Sequence, residues 1–182
     1  MLSVVLFLIL AWSFYIGFSR GLVLQGFYSL GSILATVFAT SVYQSWSKVI
    51  SLWVPFINAT QGSKSLFYAQ TYIFRLSEIF YAGLAFLLAY TVFYCFWRLV
   101  GIFVHFLPEK WNNFKGSKWI AGALAVYVTA YSLQIFLTTM AAIPMDVIQD
   151  QLNRSVLASM LIRYMPFTTS FLKGLFVTKI IG

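Results

Sequence analysis

"GFSRGLVLQGFYSLG", residues 17–31, sets a single arginine in the middle of a long apolar region. Upstream, Leu2 to Phe18 is a run of 17 residues without a charge. Downstream, Leu22 to Tyr43 runs for 22 residues, with Gln25 and small hydroxyls as its polar groups. If Arg20 lay inside one span, the two runs would fuse into a helix of about 42 residues. At 1.5 Å per residue that helix is about 63 Å long, twice the hydrocarbon thickness of about 30 Å. The stretch therefore reads as a tight hairpin between two spans. Gly21 supplies the turn conformation, and Arg20 stands at the headgroup level with its stem in the apolar layer.

The composition fits that reading. Of 182 residues, 61% are hydrophobic and 9% charged, whereas a soluble domain carries about 25% charged residues. A soluble fold of this size still leaves roughly a third of its surface exposed, too much for such a chain to cover with polar groups. Strand-type alternation is absent and apolar runs of about 20 residues recur, so the class is an all-α integral membrane bundle. The net charge of +8 comes from basic residues scattered singly between the runs. That pattern suits span flanks and anionic lipid headgroups, not nucleic acid. The lone cysteine, Cys95, has no disulfide partner in the chain and reads as a buried, inert thiol. The first run lacks a basic leader and a small-residue cleavage site, so it reads as an uncleaved span.

Four spans are expected, at about 2–18, 22–43, 79–97 and 119–144, forming a domain over residues 1–144. Between the second and third, "QSWSKVISLWVPF" (44–56) places Trp46, Val49, Ile50 and Trp53 on one helical face. It reads as an interfacial amphipathic helix that stops near Pro55, within an interfacial and loop segment at 44–78. Asn58-Ala59-Thr60 fits the N-glycosylation triplet but reads as a turn, and Arg75 and Glu78 are spaced for an i, i+3 pair. Small residues recur at Gly31, Ala35 and Ala39, and again at Ser117, Ala121, Ala125 and Thr129. Such rows let helices approach closely in lipid, so both are expected to be helix contacts. Residues 145–182 read as an amphipathic interfacial tail. In it Asp146, Gln149, Asp150, Asn153 and Arg154 form a polar face, and Pro166 separates two helices. With the amino terminus outside, Arg20 and the lysine loop at 110–118 face the cytoplasm; that short basic loop favours this orientation, while the basic residues of the tail argue the other way.

The chemistry-bearing residues are few. His105 is the single histidine and reads as an interfacial side chain. Asp146 and Asp150 share a face, but Asp150 is equally placed to pair with Arg154. No phosphate-binding loop, dinucleotide fingerprint, C-x-x-C or H-E-x-x-H motif occurs. The chain therefore reads as non-enzymatic, with no catalytic, metal or cofactor-binding residues. Arg98 is the most informative ionisable residue. It follows Tyr90 and Tyr94 at four-residue spacing, and Tyr127, Tyr131 and Gln134 share a face of the fourth span. Arg98 either snorkels to the interface or, with Tyr94, Tyr127, Tyr131 and Gln134, lines a polar seam between spans three and four.

The arrangement resembles the colicin V production protein family, small bacterial inner-membrane proteins of about four spans with a partly amphipathic tail. The resemblance is carried by "YIGFSRGLVLQGFYSLGSILAT" (15–36), "KGSKWIAGALAVYVTAYSLQ" (115–134) and "NRSVLASMLIRYMPF" (153–167). Arg20-Gly21 matches the family's hairpin; Gln25 lies near a polar position of the next helix, and Lys118 and Gly122 fit the segment before the last span. The chain departs from the family in lacking the acidic residue near the start of the first span, the Arg-Gly inside the last span and the aspartate of the preceding loop. The resemblance implies an accessory protein of the bacterial cytoplasmic membrane, acting in production or export of a peptide toxin and in envelope homeostasis. It implies contacts with lipid and with another membrane protein or a second copy, no cofactor, and no catalytic residue. Two other readings remain. A substrate-binding subunit of a vitamin-uptake transporter would need six spans, with residues 45–62 and 156–181 crossing. A small channel or holin-like pore would use the Arg98–Tyr131 seam.

Overall fold

The computed structural model describes residues 1–56, 65, 67–68, 70–104 and 116–179. The described residues contain no strand. Four long helices, α1 (Leu2–Arg20), α2 (Leu22–Trp53), α3 (Leu76–Val104) and α4 (Ser117–Met140), are each long and apolar enough to cross a membrane. A 3-10 turn at Gln70–Arg75 leads into α3, and three short helices follow α4: α5 (Asp146–Arg154), α6 (Val156–Tyr164) and α7 (Thr168–Lys173). The chain closes with a π-helical turn at Gly174–Thr178. It is an all-α, multi-pass membrane bundle. His105, the Asn58-Ala59-Thr60 triplet and Lys110 and Lys115 lie outside the described residues.

The two apolar runs do not fuse. Gly21 stands between α1 and α2 at φ 84°, ψ 169°, a region of backbone space confined essentially to glycine. Its amide donates to the Gly17 carbonyl, closing α1 while the chain reverses.

From the hairpin the helices pair out of sequence order. α1 packs chiefly on α4, and α2 on α3, while α4 also touches α2 and α3. Each pairing turns on missing side chains. A Cβ at Gly17 would overlap Ala125, beside the Ala121 carbonyl, and one at Gly122 would meet the Phe14 ring. In the other pair, a Cβ at Gly31 would overlap the indole of Trp97. Ala35 and Ala39 are fully buried in the core that also holds Ala82, Ala85 and Ala89 of α3. Thus the two small-residue rows meet different partners: Gly31, Ala35 and Ala39 face α3, and Ala121 and Ala125 face α1. The glycine that receives the second row, Gly17, lies in the opening stretch.

The sequence placed a break after Tyr43, and the structure has none: α2 continues to Trp53. The polar residues there do not disturb the helix, because their hydroxyls bond locally; Ser47 donates to the Gln44 carbonyl (2.9 Å) and Ser51 to that of Lys48 (2.8 Å). A helix of 32 residues rises about 48 Å, some 18 Å beyond a hydrocarbon layer of about 30 Å. Trp46 and Ile50 turn inward onto the core, while Val49 and Trp53 are exposed. α3 likewise continues through Arg98 to Val104. Cys95 is exposed on its outer face and not buried.

The tail is three short helices, and it covers the bundle end remote from the hairpin. Ala158 and Ile162 of α6 pack with Leu6 and Leu137, and Leu172, Leu175 and Phe176 join the main core beside Phe86. Ser3 and Ser155 hydroxyls meet at 2.8 Å. Gln149, assigned by the sequence to a polar face, is buried; its amide donates to the Ala141 and Ile143 carbonyls (2.9 and 2.8 Å), satisfying acceptors that the end of α4 leaves free. Arg75 and Glu78 pair at 2.9 Å, and Arg154 and Asp150 approach to 4.0 Å, both at exposed positions.

Two outcomes follow from this layout. In a Cys95→Ser background, single Ser19→Cys, Ser51→Cys, Lys118→Cys and Asn153→Cys variants, all at exposed positions, should label with an impermeant thiol reagent in two groups, 19 with 118 and 51 with 153. Gly17→Leu should destabilise the detergent-solubilised protein by about 1–3 kcal/mol through overpacking, read as a lower Tm. Gly26→Leu, where a Cβ meets nothing within 4 Å, should leave Tm nearly unchanged.

Candidate functional site: arginines and tyrosines at the hairpin end

Tyr28 lies on the inner face of α2, two turns from the hairpin, and is buried. Its ring fits there because α3 presents a glycine: a Cβ at Gly101 would overlap it. Arg98 lies three residues earlier on α3, on the same helical face. Its guanidinium carbon is 5.8 Å from the centroid of the Tyr28 ring, and that of Arg20 is 5.2 Å away. Both fall within the range of cation–π attraction. Arg20 is therefore at the hairpin, as its sequence position requires, yet its charge turns back over α2. The two guanidinium groups, sharing one ring, stand within about 11 Å of each other.

They border a cavity of about 260 Å³, also lined by Ser13, Gln25, Tyr94 and Ser132. Of these lining residues Gln25 is buried, while Arg98 is exposed. Phe27 stacks on Trp97 at 4.8 Å, and the Trp97 indole donates to the Phe27 carbonyl at 3.0 Å, fixing α2 against α3 beside it.

Deeper in the bundle a hydroxyl chain joins three helices. Tyr94 stacks on Tyr90, and Tyr90 meets Tyr131 edge-on, both at 5.7 Å. The Tyr90 phenol lies 2.8 Å from the Ser32 hydroxyl and 3.1 Å from that of Ser132. A hydroxyl has one proton to give. Ser132 gives its own to the Val128 carbonyl (3.0 Å), so Tyr90 donates to Ser132 and Ser32 donates to Tyr90. The chain runs from α2 through α3 to α4. Beside it, the Thr36 hydroxyl lies 3.2 Å from the Tyr131 phenol.

The five seam residues do not form one line. Arg98 and Tyr94 border the cavity, and Tyr131 belongs to the hydroxyl layer. Tyr127 is exposed and faces a separate cleft of about 870 Å³ between α2, α4 and α7, which Tyr131, one turn on along α4, and Phe171 of α7 also line. Gln134 is fully buried and holds the tail: its amide nitrogen donates to the Thr169 hydroxyl (2.8 Å) and its oxygen accepts from Thr168 (2.5 Å). One face of α4 meets different neighbours at different heights, and spacing along a helix carries no information about which. Tyr28, Ser32, Thr36 and Gly101 were not singled out from the sequence. The usable signal was the spacing of Ser29, Ser32, Thr36 and Thr40 along one side of α2.

Among the described residues, no three of His, Cys, Asp and Glu converge. The cluster offers cations, hydroxyls and an amide, groups that hold a ligand or a neighbouring helix.

Gln134→Leu should free Thr168 and Thr169 and loosen the tail; limited trypsin digestion of the solubilised protein should cut faster at Lys173, without loss of helicity. Tyr90→Phe should cost about 0.6–1.7 kcal/mol, the range measured for interhelical hydrogen bonds in membranes, read as a fall in Tm.

The chain is similar to the uncharacterized transmembrane protein YshB of Bacillus subtilis (strain 168), with 23% identity over 180 residues, covering 96% of this chain and 97% of that protein. No solved structure matches it. Residues 2–166, which take in all four long helices together with α5 and α6, match the family described as Colicin V production protein. The chain thus belongs to the colicin V production protein family.

Proposed function

We propose that this protein is a non-enzymatic accessory component of the bacterial cytoplasmic membrane, serving production or export of a peptide toxin and homeostasis of the envelope. Family membership across all four spans carries the reading. The amino terminus lies outside, so that cysteines placed at positions 51 and 153 react with an impermeant reagent in intact cells and those placed at 19 and 118 do not. The tail, residues 145–182, lies along the interface on the outer side. The protein acts by contact with a second membrane protein or with another copy of itself. The Arg20–Gly21 hairpin, together with Arg98, Tyr94 and Tyr131, is the part whose alteration should impair the function.

The six-span transporter reading is less favoured. α5 and α6 have nine residues each and rise about 14 Å, under half the hydrocarbon thickness. The pore reading is disfavoured by the filling of the bundle interior, where Phe86, Ala89 and Tyr90 are almost wholly buried.

The test is genetic. In a bacterium that secretes a peptide bacteriocin and lacks its own family member, expression of this chain should restore toxin in the medium and survival in detergent. Gly21→Leu, expressed to the same level, should restore neither. Undiminished secretion and detergent survival in the deletion strain would overturn the proposal.

A further inference from the structure

The cavity at the hairpin end holds a combination that the packing of the bundle does not require. Arg20 and Arg98 bring two permanent positive charges to one cavity of about 260 Å³. Neither has a carboxylate partner among the described residues; the two ion pairs there, Arg75 with Glu78 and Arg154 with Asp150, lie on other elements. Like charges held together at the end of an apolar bundle repel, and the repulsion is weakly screened where water is scarce. Tyr28 offsets part of it by offering its ring to both guanidinium groups, but a ring has no net charge to give.

We propose that this cavity binds a phosphate-bearing anion, either the headgroup of a phospholipid or a soluble phosphate ester. Guanidinium groups present planar forks of N–H donors that match phosphate oxygens. Gln25 brings a buried amide, and Tyr94 and Thr129 bring hydroxyls. The volume is about eight to nine times the roughly 30 Å³ share of one water, room for a phosphate with part of its ester. Arg98, the more exposed of the two arginines, meets the anion first, and Arg20 and Gln25 complete the cradle. Tyr28 is a positioning residue, wedged against Gly101 and holding both arginines at the cavity. The cavity runs from Arg20 at the α1–α2 hairpin inward to Ala125, Thr129 and Ser132 in the middle of α4, so its Arg20 end stands at the level of phospholipid headgroups if the helices span as their lengths indicate. The assignment does not depend on the accessory role in export.

The experiment uses the full-length protein in detergent and native mass spectrometry, with three probes: phosphatidylglycerol, diacylglycerol as its phosphate-free counterpart, and glycerol phosphate. The wild type should bind phosphatidylglycerol or glycerol phosphate saturably and diacylglycerol far more weakly. Arg20→Gln and Arg98→Gln should each weaken binding about tenfold or more, the scale of a lost hydrogen bond to a charged group, while Arg154→Gln should not. Binding of phosphatidylglycerol alone identifies a lipid headgroup, and binding of glycerol phosphate identifies a soluble ester; either supports the site. Equal binding of diacylglycerol, or folded Arg20→Gln and Arg98→Gln proteins that bind like the wild type, would overturn it. If those variants melt before they can be titrated, the wild type alone decides, and absence of saturable binding of both phosphate probes overturns the proposal.

Discussion

Close backbone approach in lipid is the constraint on which this structure depends. Between helices in a bilayer there is no hydrophobic driving force, because lipid chains are as apolar as the side chains they would replace. What remains is packing at short range and interhelical hydrogen bonding. The protein uses both, in different layers. Gly17 and Gly122 bring α1 and α4 together, and Gly31 and Gly101 do the same for α2 and α3. Above them the Ser32, Tyr90 and Ser132 hydroxyls tie α2, α3 and α4 into one unit. Without the first, the helices would stand too far apart for the second to form.

The same economy explains the bundle's ends. At the hairpin end, Gly101 makes room for Tyr28, and Tyr28 in turn gathers Arg20 and Arg98. At the far end the tail supplies polar groups in place of water. Gln149 satisfies carbonyls beyond α4, Gln134 grips Thr168 and Thr169, and Tyr68 donates to the Thr138 carbonyl at 3.0 Å. Burial raises the Tyr68 phenol well above its ordinary pKa, which keeps it protonated and able to donate. One end of the molecule is thus closed by internal hydrogen bonds, and at the other Arg20 and Arg98 have no carboxylate partner among the described residues.

By itself the sequence determined the membrane class, the four spans and the hairpin at Arg20-Gly21, because each rests on a local quantity. Apolar run length against bilayer thickness and the conformational freedom of one glycine need no knowledge of neighbours. It also located both small-residue rows and the Arg75–Glu78 pair, for which helical period suffices. The tertiary structure alone decided which row meets which helix, since that depends on complementary gaps such as Gly17 against Ala125 and Gly31 against Trp97. It decided as well that α2 runs unbroken to Trp53, where locally bonded serines are compatible with a helix that composition reads as interfacial. The polar seam divided for the same reason. Arg98, Tyr94, Tyr131 and Gln134 are spaced alike along their helices, but the partner each meets is fixed by the height at which another helix crosses, and a one-dimensional period does not contain that height.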